Sequence, residues 1–200
     1  MKRILSLLVL LACGTFTSSA QDGGKSLKYY NRSEAGFGFG ISSYNTNIYD
    51  GIQKQIKNNE IVISFQTING IMFNDRVTLG AGIGVEKWQN GLFYPLFGQI
   101  GYFAKPAANT FFADVSVGYG LGGRDATSYY HSADGALMFS VGLGYIRSVS
   151  KRVQFHFEAF YKYQALESAY DVYIEDTLRS TIDYKIPLSF IGFRVGIHFK

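Results

Sequence analysis

The chain has 200 residues, of which 47% are hydrophobic and 17% are charged, with 23 glycines and only 3 prolines. This apolar content excludes a disordered chain, and the low proline content excludes a collagen-like or linker-like one. The formal net charge of +4 rests partly on Lys2 and Arg3, so it does not indicate a nucleic-acid partner. Strand-forming residues are abundant and no long stretch repeats apolar residues at helical spacing, which indicates an all-β protein.

Residues 1–20 have the pattern of a secretory signal peptide. A basic start precedes a short apolar run, and Ser18 and Ala20 supply the small residues expected before a cleavage site. We expect cleavage after Ala20, which would remove Cys13, the single cysteine, and so exclude disulfides and thiol chemistry. Lipoprotein processing at Cys13 is the alternative, because the sequence LLAC partly resembles a lipobox.

Eight stretches of the chain have the length and composition of β-strands. Each is long enough to cross a bilayer as a tilted barrel strand, which needs about 9–11 residues. Most of them alternate apolar residues with glycine or polar residues. The second stretch departs from this pattern, because Thr67 and Asn69 would fall on its apolar face, and we expect a bulge near Gly70. In chain order the stretches cover residues 33–44, 59–73, 77–88, 92–104, 111–122, 136–147, 152–165 and 184–199.

The predicted connections alternate in length. Short turns follow the second, fourth and sixth strands, and long segments follow the first, fifth and seventh, with a short third connection as the exception. Short turns at one end and long loops at the other are typical of outer-membrane barrels. We therefore predict an eight-stranded antiparallel up-and-down transmembrane β-barrel over residues 33–200, with residues 21–32 as a periplasmic N-terminal segment.

The last strand shows which face of the barrel would meet lipid. Within the run FIGFRVGIHFK, one face carries Ile191, Phe193, Val195, Ile197 and Phe199. The opposite faces of the strands are dominated by glycine, which weakens a solvent-exposed strand but suits the crowded interior of a narrow barrel. The ionisable residues on these faces are predicted to form a paired structural network in the lumen. They are Glu34, Glu86, Asp114, His156, Glu158, Lys162, Arg194 and His198.

Two groups of residues have the chemical types that an active or metal site would need. His131, Ser132 and Asp134 lie in one predicted loop, but neighbouring side chains in extended chain point apart, so we favour a solvated loop over a nucleophilic site. His156 and His198 are residue types that bind metals. They lie on different strands of unknown register, so we favour a salt-bridge network and expect no metal or cofactor.

A third group is a candidate for covalent modification rather than catalysis. Asp176, Thr177 and Leu178 match a short O-glycosylation acceptor pattern that occurs in Bacteroidota. Thr177 would be the acceptor. A pattern of three residues also occurs by chance, so the sequence leaves the glycosylation of Thr177 open.

Several runs of the chain resemble the small outer-membrane β-barrel proteins of Gram-negative bacteria, the OmpA-like and OmpX-like porin-family barrels, in their Bacteroidota form. The runs are INGIMFNDRVTLGAGIGVE, YPLFGQIGYF, FFADVSVGYGLG and KIPLSFIGFRVGIHF. The resemblance implies a place in the cell outer membrane, contact with its lipid, and insertion by the barrel-assembly machinery. That machinery recognises a last strand that ends on an aromatic residue. In this chain the resemblance assigns this signal to Phe193, Val195, Ile197 and Phe199. Lys200 follows the terminal aromatic residue and departs from the family pattern.

The function expected from this pattern is not enzymatic. We expect an outer-membrane protein that supports the cell envelope or binds partners through its extracellular loops. A transport barrel for small or apolar solutes is the first alternative, and a lumen filled by side chains counts against it. A lipid-A-modifying barrel enzyme is the second alternative. The sequence names no extracellular ligand.

Overall fold

A computed structural model of the protein describes residues 27–49, 52–88, 91–105, 109–123, 132–150, 153–174 and 177–199. The regular secondary structure of these residues consists of strands, and within them no helix is long and apolar enough to cross a bilayer. The strands are β1 (Leu27–Gly40), β2 (Ser43–Tyr49), β3 (Ile52–Lys57), β4 (Ile61–Phe73), β5 (Val77–Trp88), β6 (Gly91–Phe103), β7 (Asn109–Gly123), β8 (Ser132–Ser148), β9 (Val153–Ile174) and β10 (Thr177–Phe199).

Eight of these strands form a closed antiparallel barrel in the order β1-β10-β9-β8-β7-β6-β5-β4. The predicted eight-stranded antiparallel barrel is therefore confirmed. It closes where β1 pairs with β10, from Asn31 opposite Phe199 to Gly40 opposite Phe190. Every barrel strand consequently has a hydrogen-bonded neighbour on both sides, as a sheet in lipid requires because hydrocarbon offers no hydrogen-bond partners.

Side chains alternate between the outside and the inside of the barrel, as β6 illustrates. Leu96 and Ile100 are exposed on the outer wall, whereas Phe93 and Phe97 are buried in the lumen. The outer positions of the other barrel strands are also mostly large and apolar. A largely apolar surface of this size is unfavourable in water and is what the lipid-facing wall of a membrane barrel presents.

The structure differs from the sequence prediction in the connections. The first predicted loop contains the hairpin β2–β3, in which Ser43 pairs with Lys57. The predicted loop after the seventh strand is instead the outer part of β9 and β10, which stay paired up to Ile174 and Thr177. Neither segment has the apolar alternation of a membrane strand, because beyond the bilayer neither face of a strand has to be apolar.

The start of the first strand and the regularity of the second predicted strand also differ from the prediction. β1 begins at Leu27, so residues 27–32 belong to the barrel wall, while the predicted signal peptide and residues 21–26 lie outside the described residues. The bulge predicted near Gly70 is wrong, since β4 keeps a continuous register with both β1 and β5 through this residue. Thr67 and Asn69 therefore do point outward, at positions that the alternation of β4 assigns to the lipid-facing side.

Two glycines on adjacent strands offer a matched test of lumen packing. A Cβ atom added to the inward Gly118 would collide with the carbonyl oxygen of Leu96, whereas one added to the outward Gly98 meets nothing within 4 Å. We expect Gly118→Val to lower the free energy of unfolding by about 1–3 kcal/mol through overpacking. Gly98→Val should leave it unchanged. Urea unfolding in detergent, followed by heat-modifiable gel migration, measures both variants, and equal losses would show that the lumen is not closely packed here.

Candidate functional site

Buried side chains of the described residues occupy the lumen of the barrel. Near the short turns lies an apolar cluster of Tyr30, Ile68, Met72, Phe97, Phe103, Phe112, Met138 and Ile146. At the opposite end lies a second apolar cluster of Val62, Trp88, Phe93, Leu188 and Phe190. Most of the buried ionisable residues lie between these two clusters, which is consistent with the space that eight strands enclose.

Four strands bring the main group of charges together. We call it the ionic cluster, and it comprises Arg32 and Glu34 of β1, Asp114 of β7, His156 and Glu158 of β9, and Arg194 of β10. All six occupy even-numbered, inward positions of their strands. The register places Arg194 directly opposite Glu158 on the neighbouring strand, so strand pairing itself brings these two opposite charges together.

Arg194 is held by contacts of several kinds, including an ion pair between its Nε atom and Oε1 of Glu34 at 3.7 Å. Its Nη1 atom donates a hydrogen bond of 2.6 Å to Oε1 of Glu158, and its Nη2 atom donates one of 3.1 Å to Oγ of Ser140. The guanidinium carbon lies 3.9 Å from the ring centre of Phe160, which is cation–π geometry. A buried guanidinium with this many partners is fixed in position and can stabilise the wall that carries it.

Arg32 links three carboxylates. Its Nη1 atom donates a hydrogen bond of 2.8 Å to Oδ2 of Asp114, and its Nε atom lies 3.0 Å from Oε2 of Glu34. The distance from Nη2 to Oε2 of Glu158 is 3.6 Å. These contacts reach from β1 to β7 and β9, so Arg32 connects strands that are not neighbours in the barrel.

Glu34 is the most densely contacted acid of the cluster. Besides Arg32, it accepts a hydrogen bond from the side-chain amide of Gln66, and Nε2 of His156 lies 2.9 Å from its Oε2 atom. Both of these partners are buried. The buried charge of Glu34 therefore has donors on β1, β4 and β9, as a charge removed from water requires.

Glu86 and Lys162 form a separate ion pair. Lys162 donates hydrogen bonds to both carboxylate oxygens of Glu86, and Trp88 donates one of 3.2 Å from its indole nitrogen to Oε2 of the same residue. Because Trp88 belongs to the second apolar cluster, this pair connects the polar middle of the lumen with that cluster.

All eight ionisable residues that the sequence assigns to the lumen are buried. His198 packs against two aromatic rings. Its ring lies 5.3 Å from that of Tyr30, edge to face, and is stacked at 6.0 Å on that of Phe103. Sequence reasoning missed Arg32, because the first strand was predicted to start at Ser33. Extending the alternation of the strand backward from Glu34 by two residues would have found it.

The ionic cluster contains donor atoms of the kind that bind metals. One ligand atom from each of Glu34, His156 and Glu158 lies within 4.8 Å of the others. Arg32 and Arg194 both form ion pairs with Glu34 and with Glu158, so a cation bound there would face two fixed positive charges. The residues therefore fit a self-contained ionic network better than a metal site.

The remaining predicted site residues fall into two groups. Phe193 and Val195 are exposed on the outer wall of β10, and so is Phe199. Ile197, between them, is partly exposed. His131 lies outside the described residues, and Thr177 is described only as the first residue of β10.

The closed eight-stranded wall, apolar outside and filled with paired charges inside, defines the fold of the small outer-membrane barrels. No protein-family model and no curated protein sequence matches the chain. Among solved structures it is similar to neisserial surface protein A, with a TM-score of 0.58 and 13% identity over 89% of this chain and 99% of that one. It is also similar to the outer membrane protein OprG of Pseudomonas aeruginosa, with a TM-score of 0.48 and 7% identity over 90% and 96% of the chains. At these identities the likeness concerns the fold.

Proposed function

We propose that the protein is a non-enzymatic barrel of the cell outer membrane that supports the envelope or binds partners at the cell surface. The observation that carries this proposal is the filled lumen. Two apolar clusters and the ionic cluster between them occupy the interior, and this leaves little room for a solute path through an eight-stranded wall. The wall therefore acts as an anchor, and the surface function belongs to the parts beyond it.

The membrane location is supported by the outer wall. Most of its large exposed residues are apolar or aromatic on every barrel strand, which suits outer-membrane lipid as the main partner. The aromatic outward face of β10 suits recognition by the barrel-assembly machinery through Phe193, Val195, Ile197 and Phe199. We also propose that the protein comes from a member of the Bacteroidota and that it is related to the OmpA-like or OmpX-like barrels.

The binding role is supported by the strands that extend past the apolar wall of the barrel. The hairpin β2–β3 and the long outer parts of β9 and β10 lie at the end opposite the short turns. Between them is a cavity of about 290 Å³, close to the lower limit for small-ligand pockets. Its lining combines apolar residues such as Tyr44 and Ile186 with polar ones such as Lys57. It would therefore suit a small ligand that has both apolar and polar groups.

Conductance across planar bilayers tests the proposal against a transport role. We expect the purified protein to give no stable open-channel steps. A variant with Trp88, Phe93 and Phe190 replaced by alanine serves as the comparison, because it removes three large side chains of the second apolar cluster. Sustained conductance of the unmodified protein would refute the closed-lumen anchor and favour transport.

The enzymatic alternative is tested separately. Lipid A from cells with and without the gene is compared by mass spectrometry, and we expect identical acylation and phosphorylation. Cells carrying a barrel in which a short turn replaces residues 43–57 are compared in the same experiment for outer-membrane permeability and surface adhesion. A gene-dependent change in lipid A would contradict the non-enzymatic role.

A further inference from the structure

Four polar side chains interrupt the apolar outer wall of the barrel. Asn31 and Ser33 of β1 face the same way as Thr67 and Asn69 of β4, and the register pairs Asn31 with Asn69 and Ser33 with Thr67. We call these four residues the polar patch. All four are partly exposed on the outside, so they do not belong to the lumen.

The polar patch lies within the apolar band rather than at its margin. On β4 the outward residues Ile63 and Phe65 precede it, and Ile71 and Phe73 follow it. On β1 it is flanked by Tyr29 on one side and by Ala35 and Phe37 on the other. By contrast, the outward residues of β7 from Phe111 to Leu121 are all apolar or aromatic, at Phe111, Ala113, Val115, Val117, Tyr119 and Leu121.

The members of the polar patch are hydrogen-bonded to one another. Nδ2 of Asn31 donates to Oδ1 of Asn69 at 2.8 Å and lies 3.3 Å from Oγ1 of Thr67. The Ser33 and Thr67 hydroxyls are 3.1 Å apart, and the Tyr29 hydroxyl donates to Oδ1 of Asn69 at 2.6 Å. These bonds use the nitrogen of the Asn31 amide and the oxygen of the Asn69 amide, and leave the opposite end of each amide for other partners.

The two unused ends are complementary to each other. The Asn69 amide nitrogen is a donor and the Asn31 amide oxygen is an acceptor. A second copy of the chain, related by a two-fold axis through the patch, would present the same pair in reverse, so that two equivalent hydrogen bonds form. In hydrocarbon, polar groups that meet across a protein interface avoid the cost of facing lipid unpaired.

The surface beside the polar patch is shaped for close approach. Ala81 of β5 pairs with Asn69, and Gly98 of β6 pairs with Ala81, so small residues continue the row across two more strands. An added Cβ atom at Gly98 would meet nothing within 4 Å, so no neighbouring side chain covers the outer wall at this point. Small residues of this kind let two protein backbones approach within a membrane.

We propose that the wall formed by β1, β4, β5 and β6 is the interface of a homodimer within the membrane, centred on the polar patch. The proposal goes beyond the anchor role and does not depend on it. It commits to a second copy of this chain, because Asn69 supplies the donor and Asn31 supplies the acceptor that a two-fold interface needs.

Cysteine cross-linking in native membranes tests the proposal. In a Cys13→Ser background, which holds no other cysteine, Ala81→Cys is treated with a short bis-maleimide. Leu143→Cys on β8 is the matched control, because it is also outward and exposed but lies away from the patch. We expect a cross-linked dimer from Ala81→Cys at a yield at least about tenfold above that of Leu143→Cys, the ratio given by a dimer preference of about 1.4 kcal/mol.

Two further variants separate dimerisation from folding. Gly98→Leu adds a large side chain to the outer wall without a clash inside the protein. Thr67→Val with Asn69→Leu removes the outward polar groups of β4. In the Ala81→Cys background, each should keep the heat-modifiable migration of a folded barrel and lower the cross-linked yield to that of Leu143→Cys. Equal yields from Ala81→Cys and Leu143→Cys would overturn the proposal. Unchanged cross-linking in both Gly98→Leu and the Thr67→Val, Asn69→Leu variant would overturn it as well. A cross-link to a different protein would also overturn it.

Discussion

Val195→Arg is expected to prevent most of the protein from inserting as a folded barrel. Val195 lies in the middle of the part of β10 that pairs with β1, opposite Ala35 on β1 and Phe157 on β9, and is 53% exposed on the outer wall. A charged side chain at the middle of the bilayer costs about 2–4 kcal/mol in a barrel. The fraction of heat-modifiable, folded protein in isolated outer membranes measures the effect.

Val149→Arg is the matched control, because it makes the same substitution outside the apolar band. Val149 is 63% exposed in the short connection between β8 and β9, where the arginine can remain in water. We expect its folded fraction to equal that of the unmodified protein. If Val195→Arg folds as well as Val149→Arg, the outer wall does not face lipid, and a soluble barrel becomes the better interpretation.

Arg194→Leu is expected to produce the largest loss of stability among changes in the lumen. It leaves the buried carboxylate of Glu158 without its closest cation and removes the contact with Phe160. Removing one partner of a buried ion pair costs about 3–5 kcal/mol, because the other charge stays buried. The midpoint of urea unfolding in detergent should fall accordingly.

The double variant Arg194→Leu with Glu158→Leu identifies the cause of this loss. It removes both charges, so a large part of the lost stability should return. Lys28→Leu provides the external comparison, since it breaks an exposed ion pair with Asp75 that is worth at most about 1 kcal/mol. A double variant that is no more stable than Arg194→Leu would mean that the pair is not the source of the effect.

The barrel could be predicted from the sequence because its wall obeys a simple physical rule. Lipid outside and a crowded lumen inside impose strict alternation, and Phe193, Arg194 and Val195 show it within three residues. The rule ends where the bilayer ends. The hairpin β2–β3 and the outer parts of β9 and β10 are strands held by pairing with their neighbours, and their sequences carry no pattern that lipid has imposed.

The candidate site was predictable in its members but not in its contacts. Parity identifies Asp114 and Glu158 as inward, but the register that sets which residues lie opposite each other depends on the whole closed wall. The interpretation of Thr67 and Asn69 as a bulge failed for another reason. It assumed that every outward residue must be apolar, whereas these two are hydrogen-bonded to β1 across the outer surface.

The pairing of β1 with β10 also determines the order in which this protein can assemble. The two strands are the most distant barrel strands in sequence, so their pairing has to wait until the whole chain is available. Arg32 and Glu34 lie on the first barrel strand, whereas Arg194 lies on the last one. Completion of the ionic cluster thus coincides with closure, and an open barrel would keep unmatched charges at its free edges. We therefore expect the folded barrel to open cooperatively rather than to lose single strands from one end.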